Sequence, residues 1–389
     1  MRTRRILVVL VSSMLSLFVA EVLLRTFAPR RTVEVLSGAY PAMFRESDYL
    51  PYGLREGYQG RLATAEFDTT VRINSRGYRG AEFAAEKGDA FRILVIGDSF
   101  TFGWGVEDSE TYAAQLQRLL AERHAAQRIE VINAGFAACY SPDTYYLYLK
   151  REGLALDPDL IVVGTYVGND LDSAVAFENE WVDTDAEGLP LSIRNTNSHV
   201  VGNMLLPRDV PLRYRVPVLH RLHLFQGIAD LWWALKEQLQ ASVAVSATLH
   251  AHAPDDEGIP YIYRLTYADR TNTVMRRVES VFAGMERLAT EAGVPLVFMI
   301  IPEQVQLVED AFKGLPADIK KPQRLLSEFF EREGLAYVDL LPSFAEEGAS
   351  RMLYFPHDNH WTAAGHALGA RVLADVLAPY VTTALNKGN

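Results

Sequence analysis

Residues 91–378 predict an α/β fold built on a parallel sheet, and three observations carry the prediction. Short apolar runs recur along this stretch, turn residues follow each run, and each turn leads into a segment whose apolar positions fall at helical spacing. Strand, crossover helix and strand in that order is the unit of a parallel sheet, because parallel neighbours need a long connection. The strands are expected at Arg92–Ile96, Ile129–Asn133, Leu160–Thr165, Val294–Ile301 and Ala336–Leu340. Helices are expected at Thr111–Arg123, Pro142–Glu152, Thr273–Ala292, Pro322–Glu333 and Thr362–Ala378.

Two segments precede this core. Residues 1–30 open with Arg2, Arg4 and Arg5, and Ile6–Leu24 is nineteen positions whose only charge is Glu21. As a helix that run would span about 28 Å at 1.5 Å per residue, with the arginines on the cytoplasmic side. It reads as an uncleaved membrane anchor. A removed signal peptide is the competing reading, weakened because cleavage after Ala20 would place bulky Phe18 where a small residue is expected. Either way the remainder is exported. Residues 31–90 hold turn-rich, polar-aromatic stretches at Pro51–Gly60 and Val71–Gly80 without helical periodicity, and read as a β-rich extension.

The core domain, residues 91–385, is interrupted by an insertion at about 172–270. There Leu224, Ile228, Leu231, Leu235 and Leu239 fall at helical spacing, beside Trp232 and Trp233. The insertion is expected to pack a small core of its own; covering the substrate as a lid is the sharper alternative.

Composition excludes several functions. With 38 Lys and Arg against 49 Asp and Glu, the net charge is −11, which argues against a nonspecific nucleic-acid binder. The single cysteine, Cys139, excludes an internal disulfide framework and a multi-thiolate zinc site, and is read as a packing residue. His220 with His223, and His250 with His252, lack a carboxylate or thiolate partner at diagnostic spacing, so neither a metal nor another cofactor is expected.

The chemistry gathers at strand ends. In Arg92–Gly103, RILVIGDSFTFG, Ser99 stands just past a buried strand and before a helix, where backbone amides can face one reacting oxygen. Gly97-Asp98-Ser99-Phe100-Thr101 lacks the second glycine of a nucleophile elbow, and no G-K-[ST] follows to make a P-loop. After the second strand stands Asn133-Ala134-Gly135, and after the third Gly168-Asn169-Asp170, on the edge where open parallel sheets bind ligands. Near the C-terminus FPHDNHWTAAGH supplies Asp358 and His360, with Thr362 placed to cap the next helix. In an extended segment side chains two apart point the same way, so Asp358 could orient the imidazole that faces Ser99. Asp98 is read as a loop-stabilising acceptor and His366 as structural.

These blocks, in this order, resemble the SGNH (GDSL-type) hydrolases over about Phe91–Ala378, the insertion excluded. The resemblance rests on Gly97-Asp98-Ser99-Phe100, on Gly135 within INAG, on Gly168-Asn169-Asp170, and on Asp358 with His360. It implies a three-layer α/β/α, flavodoxin-like core and a serine esterase acting on an ester- or acyl-bearing substrate. It further implies Ser99 as nucleophile, His360 as general base and Asp358 as its partner. Ser99 N–H, Gly135 N–H and the Asn169 side chain would form the oxyanion hole. One departure stands out: the family spaces its Asp and His by two residues, whereas only Asn359 intervenes here. The same short spacing occurs in SGNH-like proteins that acetylate exopolysaccharides. An O-acyltransferase using Ser99 is therefore the enzymatic rival, and a carbohydrate-binding or assembly module the nonenzymatic one. From the exported compartment, the expected substrate is an envelope carbohydrate or lipid.

Overall fold

The computed structural model describes residues 2–27, 42–64, 66–138, 140–171, 182–193, 198–201, 203–207, 222–225, 227–228, 259–308 and 311–388. Helix α1 (Arg2–Phe27) is followed by two antiparallel hairpins, β1 (Phe44–Arg45) with β2 (Gly53–Leu54) and β3 (Gln59–Ala63) with β4 (Asp68–Arg72). The core then runs β5 (Phe91–Gly97), α2 (Ser99–Phe102), α3 (Tyr112–Arg123), β6 (Ile129–Gly135), α4 (Pro142–Tyr148) and β7 (Leu160–Tyr166). Two small hairpins interrupt it, β8 (Val182–Thr184) with β9 (Pro190–Ile193) and β10 (Ser198–Val201) with β11 (Met204–Pro207). It resumes with α5 (Asp269–Glu291), β12 (Leu296–Ile301), α6 (Lys321–Glu333), β13 (Ala336–Asp339), α7 (Leu341–Gly348) and α8 (Ala363–Gly388).

The five core strands form one parallel sheet in the order β13-β12-β7-β5-β6. Taken in chain order this is the doubly wound 2-1-3-4-5 arrangement, whose reversal point lies between β5 and β7. Every residue of β5, β7 and β12 is buried, which is why these strands, apart from Arg92 and Thr165, are apolar without alternation. Successive side chains still part to opposite faces. Ile93, Val95, Val162 and Met299 pack with Leu116 of α3, Phe344 of α7 and Leu373 of α8. Leu94, Ile96, Val163 and Ile300 pack with Tyr148 of α4, Phe282 of α5 and Phe330 of α6. The result is helix, sheet and helix in three layers.

Some boundaries differ from the expected ones for local reasons. Strand β12 starts at Leu296 because Pro295 has no amide to donate to a ladder. The helix expected over Pro142–Glu152 is α-helical only to Tyr148 and continues as a wider π turn, Leu149–Gly153. Helix α8 runs through Pro379 rather than stopping at Ala378, because Val381, one turn on, is fully buried against the sheet layer.

The segment before the core is woven into it. Phe44, Tyr52, Leu62 and Val71 belong to the same buried cluster as Leu94 and Phe298, and Arg79 bridges Asn133 on the edge strand β6. Among the described residues of the insertion, Leu189 and Leu205 bury in this main cluster. Leu231, Trp232, Trp233, Leu235 and Leu239 lie outside the described residues, as do Cys139, His220, His250 and His252. Within α1, side chains are described without interruption only from Val11 to Phe27, and among the described residues no helix is long and apolar enough to cross a membrane.

Candidate active site

The site begins at the end of β5. Asp98 leaves the strand and caps α2, accepting the Phe100 amide on Oδ1 at 3.0 Å. The helix lasts one turn, because Gly103 takes φ +83° and turns the chain back, so that the Gly103 and Trp104 amides both donate to Ser99 O at 3.0 Å. Ser99 is thus the first residue of a tight turn, buried to 7% exposure.

The base arrives from 261 residues away. His360 Nε2 lies 2.7 Å from Ser99 Oγ, and His360 Nδ1 lies 2.5 Å from Asp358 Oδ1. Hydroxyl, imidazole and carboxylate stand in series, each within hydrogen-bonding reach of the next. The loop that achieves this is not the extended segment expected from the two-residue spacing. Tyr354 and Trp361 form an antiparallel bridge, Phe355 N donates to His360 O at 2.8 Å, and Asn359 takes φ +65°. Asparagine tolerates that left-handed conformation better than most residues. The turn, rather than strand alternation, brings Asp358 beside the imidazole. His357, by contrast, is exposed on the loop's outer side.

Aromatic rings hold the imidazole. The Phe100 ring lies 5.0 Å from it and the Trp104 ring 6.1 Å. Trp104 Nε1 also donates to Asp358 Oδ2 at 3.4 Å, so the second carboxylate oxygen has a partner of its own. Trp104 escaped sequence reasoning. Its only signal is a place just after the Gly103 turn, which folds it back over the nucleophile.

The expected oxyanion donors fare differently. Asn169, after β7, donates from Nδ2 to Asp98 Oδ2 at 3.0 Å, while its Oδ1 is buried and finds no hydrogen-bond partner among the described residues. Asp98 therefore orients the amide. Burial raises the Asp98 carboxyl above its ordinary range, an effect opposed by the bonds from Phe100 and Asn169. Gly135 is placed differently: its amide donates to Asn133 Oδ1, a neighbouring side chain, at 2.9 Å. Its glycine character has another cause. A Cβ at Gly135 would lie 2.1 Å from Phe102 N and 2.4 Å from Thr101 C, so α2 can sit against β6 only if that atom is missing. Asn133 completes the clamp by donating from Nδ2 to Thr101 O at 2.8 Å.

His366 is buried away from the site; its Nδ1 accepts the Tyr112 amide at 3.2 Å, and burial pushes its pKa down to about 3, keeping it neutral. His223, from the weaker pairs, lies with Nδ1 3.5 Å from Glu21 Oε1.

A serine hydroxyl aligned with imidazole and carboxylate at the carboxyl edge of a parallel sheet is the arrangement of a serine hydrolase. Residues 95–368 match the GDSL-like lipase/acylhydrolase family. The chain belongs to that family and is an ester-hydrolysing serine enzyme. Among solved structures it is similar to an α/β hydrolase from the Lake Arreo metagenome, at 12% identity and TM-score 0.41, covering 73% of this chain and 94% of that one. It is also similar to a lipase/acylhydrolase from Enterococcus faecalis, at 12% identity and TM-score 0.36 over 74% and 95% of the two chains. A third is an acetylxylan esterase from Geobacillus stearothermophilus, at 13% identity and TM-score 0.40 over 75% and 95%. No curated protein matches the chain.

Proposed function

We propose that the enzyme is exported, is tethered to the membrane through its N-terminal helix, and removes an O-acyl group from an envelope carbohydrate or lipid through an acyl-Ser99 intermediate. The observation that carries the catalytic part is the series Ser99 Oγ, His360 and Asp358, at 2.7 and 2.5 Å. A serine hydroxyl is a weak nucleophile near neutral pH, so His360 accepts its proton as the oxygen attacks, and Asp358 holds the tautomer and stabilises the imidazolium. The leaving alcohol takes that proton from His360. Water then gives a proton to the same imidazole as it attacks the acyl carbon, and His360 returns that proton to Ser99 Oγ as the acid is released. Negative charge on the tetrahedral oxygen is met by Ser99 N–H and by the Asn169 Nδ2 hydrogen not used on Asp98. No cofactor enters this sequence of steps.

The tether rests on sequence: the arginines at 2, 4 and 5 and the apolar run Ile6–Leu24. Supporting it, the run's one charge is satisfied, since Glu21 pairs with Arg25 at 2.7 Å and accepts the His223 and Leu224 amides at 2.9 and 2.8 Å. Residues 91–385 are taken as the catalytic domain and 31–90 as its extension. Treating the purified chain with a fluorophosphonate tests the nucleophile: an adduct on Ser99 that Ser99→Ala abolishes is expected, and no adduct on a folded chain would leave the binding module standing. Incubation with an acyl donor and an oligosaccharide reads the fate of the acyl group; free acid supports hydrolysis, and acyl-sugar would make the enzyme a transferase. Retention in alkali-washed membranes, lost when residues 1–27 are deleted, tests the tether.

A further inference from the structure

The β3–β4 hairpin carries no catalytic motif, yet its tip reaches the loop that bears the base. Thr64 shapes the tip: Oγ1 accepts the amides of Glu66 and Phe67 at 3.1 and 3.4 Å, and Thr64 N donates to Phe67 O at 2.8 Å. The Glu66 carboxylate then accepts the amide of His357, 3.1 Å from each of its oxygens, and the amide of Asp358 on Oε2 at 2.7 Å. Two consecutive amides converge on one carboxylate, the second belonging to Asp358 itself. Charge-assisted bonds of this kind are shorter and stronger than neutral ones.

The neighbouring residue extends the attachment. The Phe67 ring lies 5.2 Å from Phe355 and 6.3 Å from Trp104, whose indole N–H is bonded to Asp358 Oδ2. Asp358 is therefore held at its backbone by Glu66 and at its side chain by Trp104 and His360. Among the described residues, the amides bonded across the loop are those of Phe355 and Asn359, and neither belongs to Asp358. Without the hairpin, nothing described would hold the Asp358 amide in place.

We propose that Glu66 is a positioning residue. It fixes the backbone of Asp358, and through Asp358 the imidazole that takes the Ser99 proton, so the N-terminal extension is part of the catalytic apparatus. This rests on the reading of Ser99, His360 and Asp358 as the reacting groups. The role differs from a purely structural one in what it moves. Misplacing a catalytic group by about 1 Å costs up to about 10²-fold in turnover while leaving substrate affinity nearly untouched.

The test compares the full-length enzyme with E66A, E66Q and E66D on p-nitrophenyl acetate, with Ser99 labelling by a fluorophosphonate, thermal melting and the low-field proton resonance of the His360–Asp358 hydrogen bond. E66A is expected to lower kcat by about 10- to 100-fold with KM within about twofold, and to broaden or remove the low-field resonance. E66Q keeps one acceptor oxygen and should recover part of kcat, whereas E66D, one methylene short of the amides, should not. Wild-type kcat in E66A, or a change in KM alone, overturns the inference while the esterase reading stands. If E66A does not fold, the E66Q and E66D pair decides: equal, wild-type kcat in both overturns the inference. A wild-type enzyme that neither hydrolyses the ester nor takes the label overturns both readings.

Discussion

Replacing Asn169 by alanine separates catalysis from stability, because its two amide atoms have opposite situations. Nδ2 donates to the Asp98 carboxylate at 3.0 Å, a charge-assisted bond whose loss costs about 1.5–3 kcal/mol. Oδ1 is buried with no partner among the described residues, and deleting it recovers a desolvation penalty of about 1–3 kcal/mol. The two nearly cancel, so Asn169→Ala should melt close to the wild type. Turnover should behave otherwise: losing one well-aimed oxyanion donor costs about 10²–10³-fold in kcat, or about 2.7–4 kcal/mol. The assay is kcat and KM on a soluble acetyl ester beside a melting curve of the same preparation. Because Asp98 acts on the reaction through the Asn169 amide, adding Asp98→Asn to Asn169→Ala should cost little more kcat. A single variant that keeps kcat within about threefold of wild type would refute the assignment, as would fully additive losses in the pair.

Three further outcomes follow from the geometry. Gly135→Ala places a methyl 2.1 Å from Phe102 N, a backbone atom that cannot step aside, so it should cost about 1–3 kcal/mol of stability by denaturant unfolding and disturb the turn that bears Ser99; a variant as stable and active as wild type would refute the close-packing account. Asp358→Asn keeps the side chain's shape but leaves His360 in the wrong tautomer, and should lower kcat by about 10⁴-fold at unchanged fold, measured against a fluorogenic ester. Asp170 is fully buried between the Tyr145 hydroxyl and the Tyr166 amide, and burial, then the Asp98 charge, raises its pKa well above the ordinary carboxylate range. Between the unfolded value of 3.8 and that raised one the folded state holds the extra proton, so stability falls as pH rises. Asp170→Asn should flatten the decline in Tm above about pH 4, and parallel curves for the two proteins would contradict it.

How much of this was legible depended on the range of the interaction involved. The five strands and their helices stand close to where apolar runs and turn residues put them, because both signals are local; the ends that differ, α4 stopping at Tyr148 and α8 running past Ala378 to Gly388, depend on surroundings beyond the segment. Ser99, Asn169, Asp358 and His360 drew attention as blocks in a recurring order, and the chain does bring Ser99, His360 and Asp358 together. Gly135 drew attention for the same reason, but a glycine at a strand end has two explanations, amide donation and close approach. Only coordinates reveal Asn133 capturing its amide and α2 leaning on its missing Cβ. The Asp358–His360 turn had a readable clue, since Asn359 is among the few residues at ease with positive φ. Trp104 had only its place after the Gly103 turn and Glu66 had no clue at all, because their significance lies in contacts made across 254 and 292 residues of chain.

The distance along the chain between nucleophile and base has a consequence for biogenesis. The hydroxyl at position 99 is synthesised 261 residues ahead of its imidazole and therefore leaves the ribosome first. A nascent or prematurely terminated polypeptide therefore carries a serine with nothing to activate it. Competence to cleave esters is withheld until the segment bearing His360 has joined the sheet, so products stalled or clipped ahead of it are inert towards whatever acylated material they meet.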